Sequence, residues 1–179
     1  ERLVNYRAPK LRRKENPFDK ENLVAYLQQI FPNSNVNAAH ITKIGGMSNK
    51  NFRVVLEGND YVLRVPGLGA DGMVERINEE VNSQLGCNIG ITPDILYFNS
   101  QTGVKLATFI KNAETLNSAT IQRTDNMLKV VQILRNLHDS NVRFNNEFNI
   151  FHEIDKYEEL LINAGGVMYA GWDDIRTTV

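Results

Sequence analysis

Residues 44–53 read Ile44-Gly45-Gly46-Met47-Ser48-Asn49-Lys50-Asn51-Phe52-Arg53, or IGGMSNKNFR. Two adjacent glycines meet small polar residues, and an alternating apolar run begins at once. Glycine lets backbone N–H groups approach an anion closely, so this corner suits phosphate as well as a plain hairpin. The flanking segments decide between the two.

On both sides the pattern is strand. AHITKIG precedes the corner. NKNFRVVLEG follows, with Phe52, Val54 and Leu56 alternating against Arg53, Val55 and Glu57. Gly58-Asn-Asp60 predicts a turn, and YVLRVPG alternates again through Tyr61, Leu63 and Val65. Upstream, Asp19 is placed to cap a helix over Lys20–Phe31, with Leu23, Val24, Leu27 and Ile30 on one face. Downstream, Val74, Ile77, Val81 and Leu85 have helical spacing, with Gly86 or Gly90 as the stop. DILYFNS and GVKLATFI predict two more strands around a turn at Gln101-Thr-Gly103. A helical stripe follows at Met127, Val130, Val131, Leu134, Leu137 and His138, and another at Phe151, Ile154, Tyr157 and Leu161. The predicted order is three strands, a helix, two strands and then helices, an α+β arrangement.

Composition narrows the class. The chain has 179 residues, 42% hydrophobic and 23% charged, with a formal net charge of -1. That suits an ordinary domain with a sizeable core and gives no general attraction to nucleic acid. No apolar run approaches the roughly 20 residues of a membrane span, so no membrane insertion is expected. Cys87 stands alone, which excludes an internal disulfide and predicts a reducing, cytoplasmic setting with Cys87 as a small buried group. No signal peptide is evident; the chain opens at Glu1 rather than Met, so its own N-terminus is expected upstream. Five basic residues lie between Arg7 and Lys14 and read as a solvated linker, or as a basic arm for an acidic partner.

A nucleotide-binding lobe needs a phosphate-covering turn, a cation on a nearby strand, a carboxylate on the packed helix to hold it, and an extended hinge for a purine. Gly45-Gly46 supplies the turn and Arg64 the cation. Glu79 supplies the carboxylate, with Glu80 as the alternative, and Thr108-Phe109-Ile110 the hinge. Singly, each has a plain structural explanation: a corner, a solvated arginine, a surface glutamate. Their order along the chain is what argues for a kinase. Neither G-x-x-x-x-G-K-[ST] nor G-x-G-x-x-G is present. Arginine rather than lysine holds the cation position and offers a fork to phosphate oxygens. His40, His138 and His152 lack metal-ligand spacing, and His138 reads as a core group.

GGMSNKNFRV, YVLRVPG, ERINEEVNS, GITPDILYF, TFIKNAETL, NLHDS and FNIFHEIDKYEELL occur in an order that resembles the choline/ethanolamine kinase family. The likeness is to its bacterial choline kinase type, within the aminoglycoside-phosphotransferase and protein-kinase-like superfamily, and covers roughly residues 40–175. It implies a protein-kinase-like small lobe, a five-stranded antiparallel sheet with one helix, leading into the first helices of a large lobe. Residues 1–18 would be linker or tail, 19–110 the small lobe with its preceding helix, and 111–179 the start of the large lobe. The implied activity is ATP:choline (or ethanolamine) phosphotransfer with Mg²⁺. Gly45, Gly46, Met47, Ser48, Asn49, Lys50 and Asn51 would cover the ATP phosphates, with Met47, Ser48 and Asn49 near the acceptor alcohol. Arg64 would contact phosphate with Glu79 as partner. Thr108 to Glu114 would surround adenine and ribose.

The family's H-x-D-x-x-x-x-N and D-W-E segments are not found. His138-Asp139 lacks the intervening residue, His152 precedes Asp155 by one too many, and Asp173-Asp174 falls in an expected helix. No catalytic residue or metal ligand is therefore assigned within this chain. Both are expected beyond Val179, so an N-terminal fragment, inactive alone and missing its own large lobe as partner, is the expectation. The alternatives are a kinase for an aminoglycoside, thiamine or a sugar, and a non-catalytic nucleotide-binding or interaction module.

Overall fold

The computed structural model describes residues 16–46, 48–67 and 75–178. The basic stretch at 7–14 therefore lies outside the described residues, as do Met47 and Val74. Contacts divide the chain after Phe144 into two units, and each is described by itself.

The first unit is built on a five-stranded sheet in the order β1-β2-β3-β5-β4. The strands are β1 (His40–Gly45), β2 (Asn49–Leu56), β3 (Asn59–Pro66), β4 (Ile95–Phe98) and β5 (Lys105–Thr108). Every neighbouring pair is antiparallel, as the α+β reading requires. Alternation decides which face each residue serves. Phe52, Val54, Leu56, Leu63, Val65 and Leu106 are all buried on one face. Helix α1 (Lys20–Ile30) contributes Leu23 and Leu27 to the same core, together with Val36 from a single 3₁₀ turn. The Asp19 carboxylate caps α1 by accepting the Asn22 N–H at 2.9 Å. Phe18 packs on this core too.

The first tight turn sits one step earlier than the sequence suggests. Asn59 and Asp60 already pair with Leu56 and Val55, so the turn is Glu57-Gly58. Both have positive φ, 51° and 81°, as a two-residue turn matched to strand twist requires. At the other hairpin, the Asn99 carboxamide oxygen accepts the N–H groups of Gln101 and Thr102, each at 2.9 Å. That side-chain turn joins β4 to β5.

Helix α2 spans Arg76–Asn88. Gly86 stays inside the helix and Gly90 follows its end. The apolar spacing does not mark its buried side, because Ile77 and Val81 are exposed. Glu79, Ser83 and Gly86, at i, i+4 and i+7, form the inward stripe instead. Cys87 is only half-buried, with its thiol 3.7 Å from Asp94 Oδ1, so it is not the enclosed group its composition suggested. Helix α3 (Thr124–Asp139) keeps its apolar stripe, yet Met127, Val131 and Leu134 are exposed. His138 is exposed as well and is not a core group.

The second unit holds α4 (Ile150–Asn163) and α5 (Trp172–Thr178). The Asn149 side chain caps α4 by accepting the Phe151 N–H at 3.0 Å. Arg176 Nε and Trp172 Nε1 both donate to Glu158, at 2.9 and 2.6 Å, and Arg176 also pairs with Asp155. No helix among the described residues is long and apolar enough to cross a membrane.

Candidate functional site

The sheet face opposite the core carries the charges. Register places Arg64 of β3 across from Lys105 of β5, and Val62 across from Ala107. The Arg64 Nη1 donates to Glu79 Oε1 on α2, and its Nη2 donates to the Gly103 carbonyl at 3.0 Å. Arg76 Nη1 donates to the other Glu79 oxygen at 2.9 Å, and Lys105 Nζ lies 3.9 Å from Glu79. The Phe98 ring flanks this group, with its centroid 5.6 Å from the Arg64 guanidinium and 5.8 Å from the Lys105 ammonium. Arg64 Nε and Arg76 Nη2 are buried and find no partner among the described residues.

One carboxylate thus faces three cations. Burial pushes the Glu79 carboxyl up, but the guanidiniums of Arg64 and Arg76 and the Lys105 ammonium outweigh it and hold the group below the usual carboxylate range. Burial lowers the Lys105 ammonium, and the Arg64 charge lowers it further against the pull of Glu79. Of the two glutamates the sequence offered, Glu79 makes these pairs.

The glycine corner is tighter than the sequence implies. β1 ends at Gly45 and β2 begins at Asn49. Asn49, Lys50 and Asn51 are therefore strand residues, paired with Pro66, Val65 and Arg64. Gly46 has φ +113°, and a Cβ there would collide with the Asn49 carbonyl. Only glycine fits. Lys50 Nζ reaches the Gly46 carbonyl at 3.5 Å. Ser48 is exposed beside the corner, and a Cβ on Gly67, the residue after β3, would collide with its carbonyl.

The hinge segment is pinned at its start. The Thr108 N–H donates to Asp94 O at 3.0 Å and the Phe109 N–H to Asp60 O at 3.1 Å. The Asp60 carboxylate also accepts from Arg53 at 2.9 and 2.7 Å and pairs with Lys111 at 3.4 Å. Arg53 lies over the Phe109 ring, 4.7 Å from its centroid. The Arg53 hydrogen bond, aided by Lys111, holds the Asp60 carboxyl below its ordinary value. Thr108, Phe109 and Ile110 then line a cleft of about 530 Å³ together with Ile44, Val62 and Lys105.

One concave site therefore joins the strand entering the glycine corner, the hinge and the charged cluster. Arg64, Glu79, Thr108, Phe109 and Ile110 sit in or beside it, while Met47 lies outside the described residues. Lys105 and Ser83 also line it, and Arg76 joins the charged cluster beside it; none of the three stands out in the sequence as a site residue. Lys105 has a local signal, since it alternates against the apolar Leu106. Its pairing with Arg64 depends on a β3–β5 register that no short stretch reveals. The described residues bring together no group of three His, Cys, Asp or Glu side chains able to hold a metal ion.

Comparisons with known proteins agree on the kind of protein. No protein-family model matches the chain. Protein LicA of Haemophilus influenzae is 28% identical over 143 residues, 80% of this chain and 42% of that protein. Choline kinase LicA from Streptococcus pneumoniae superposes with a TM-score of 0.70 at 25% identity, over 86% of this chain and 52% of the other. A choline/ethanolamine kinase family protein from Mesorhizobium loti gives 0.68 at 26% identity, over 88% and 50%. A LicA structure in complex with AMP gives 0.66 at 25% identity, over 86% and 53%. The chain spans about half the length of the relatives it matches. Its fold is kinase-like: a five-stranded antiparallel sheet with helices. The proteins it is similar to are choline/ethanolamine kinase family proteins, the family its motifs resemble.

Proposed function

We propose that these residues form the nucleotide-binding part of a kinase that transfers the ATP γ-phosphate to choline or ethanolamine. The observation carrying this is a cleft bounded by Ile44, the Thr108–Ile110 hinge and Lys105, the member of the cation cluster on Glu79 that reaches it. Its 530 Å³ lies within the range of small-ligand sites. The AMP complex of a LicA protein supports a nucleotide as the occupant.

Phosphoryl transfer relies on positioning and charge neutralisation more than on covalent chemistry of the protein. In this reading Gly45 to Asn51 cover the phosphates, with Ser48 and Asn49, and Met47 outside the described residues, near the acceptor alcohol. Arg64, held by Glu79, sets the positive field at the phosphate end. Thr108, Phe109 and Ile110 take the purine. Mg²⁺ would add neutralising charge at the phosphates, and among the described residues no metal-ligand set comes together. The proton acceptor and metal carboxylates are proposed to lie in further chain, with 19–110 as small lobe and 111 onward as the start of the large lobe. The 179 residues alone are then inactive. The single Cys87 supports a reducing, cytoplasmic setting.

The test is turnover by the full-length protein, with choline, ethanolamine, an aminoglycoside, thiamine and a simple sugar compared. Phosphorylated choline or ethanolamine is expected. Turnover of the aminoglycoside but not choline would replace the acceptor, and failure to bind any nucleotide would leave an interaction module.

A further inference from the structure

The sequence points to Arg64 as the cation that meets phosphate, but Arg64 is enclosed. Both terminal nitrogens are engaged, by Glu79 and the Gly103 carbonyl, and its Nε is buried. Arg76 is similar, with Nη1 on Glu79 and Nη2 buried. Neither lines the cleft. Lys105 does. Its ammonium has three donors, and its approach to Glu79 is a long 3.9 Å. Three cations around one carboxylate leave positive charge in excess in a partly desolvated place, which favours an anion there. Lys105 precedes the hinge residue Thr108 by three positions on one strand, about 10 Å along it. That span is comparable with the reach from a purine base to its 5′-phosphate.

The geometry points to Lys105 as the residue that binds the nucleotide's phosphate directly, with Arg64 and Arg76 as positioning residues that fix Glu79 and supply the surrounding field. This inference rests on the nucleotide reading above. The loss of water around Lys105, which lowers its ammonium pKa, fits a group whose charge is completed by a ligand.

Calorimetric titration of the full-length protein with adenosine, AMP and ADP separates the possibilities. Lys105→Met is expected to weaken AMP and ADP by about tenfold or more, the worth of one charge-assisted hydrogen bond, and to leave adenosine unchanged. Lys105→Arg keeps the charge and is expected to retain most of the affinity. Urea unfolding should show Lys105→Met no less stable than the wild type, since a half-buried cation beside Arg64 has been removed. Lys105→Gln carries the same test should the Met variant not fold. Unchanged AMP affinity in Lys105→Met, or an equal loss for adenosine and AMP, would overturn the assignment while sparing the nucleotide reading. A wild-type chain that binds neither adenosine nor AMP would bring down both.

Discussion

Glu79 is the residue on which the charged face turns. Its carboxyl is held below the ordinary value of 4.5 by Arg64, Arg76 and Lys105 despite burial. A carboxylate whose folded pKa is lowered stabilises the fold above its unfolded value, and that contribution is lost as pH falls through the folded value. Urea midpoints should therefore drop as pH is taken below about 4.5, and Glu79→Gln should flatten this dependence. At neutral pH Glu79→Gln is expected to cost about 1–2 kcal/mol, less than a fully buried pair because the site is partly solvated. Asp60 plays the corresponding part at the hinge, receiving Arg53 and Lys111 while its carbonyl holds the Phe109 N–H. Asp60→Asn should speed hydrogen exchange at residues 108–111, with the α1 amides unaffected. Unchanged exchange there would mean the Asp60 side chain does not hold the hinge.

At the scale of the elements, local chemistry was legible and pairing was not. Asp19 announced the start of α1, and alternation in β2 and β3 identified the core face through Phe52, Val54 and Leu63. Each of these depends on residues within a few positions of one another. The Glu57-Gly58 turn was misplaced because Asn59-Asp60 has turn composition, yet cross-strand pairing draws both into β3. The inward side of α2 was missed for a related reason. Its apolar spacing competes with Glu79, whose ion pairs fix the helix against the sheet. Arg64 and Glu79 could be matched from sequence as opposite charges; Lys105 could not, since β5 reaches β3 only across α2 and β4. Two element-level substitutions follow from the caps and turns. Asp19→Ala removes a side-chain cap and should lower stability by about 1 kcal/mol. Gly58→Ala introduces a side chain at φ +81° and should cost about 1–2 kcal/mol, although a Cβ there meets nothing. Both are read from urea midpoints, and a neutral Gly58→Ala would mean the turn relaxes to another type.

Across the molecule, apolar side chains remain uncovered on the later helices. Met127, Leu128, Val131 and Leu134 on α3 and Phe151, Tyr157 and Leu161 on α4 are exposed. Exposed apolar stripes of this extent favour association, so the 179-residue chain should sediment as concentration-dependent oligomers, with Val131→Glu and Leu134→Lys reducing the effect. A monodisperse monomer across concentrations would contradict this. The strand order carries a consequence of another kind. β1, β2 and β3 are consecutive neighbours, as are β4 and β5, so each group closes through short loops. Among the described strand pairings, the β3–β5 ladder alone joins distant segments, from Tyr61–Thr108 to Arg64–Lys105. Because its closure spans α2 and β4, this seam is expected to limit the refolding rate. Leu106→Ala, placed in it, should then slow refolding, whereas Leu23→Ala on α1 should mainly speed unfolding.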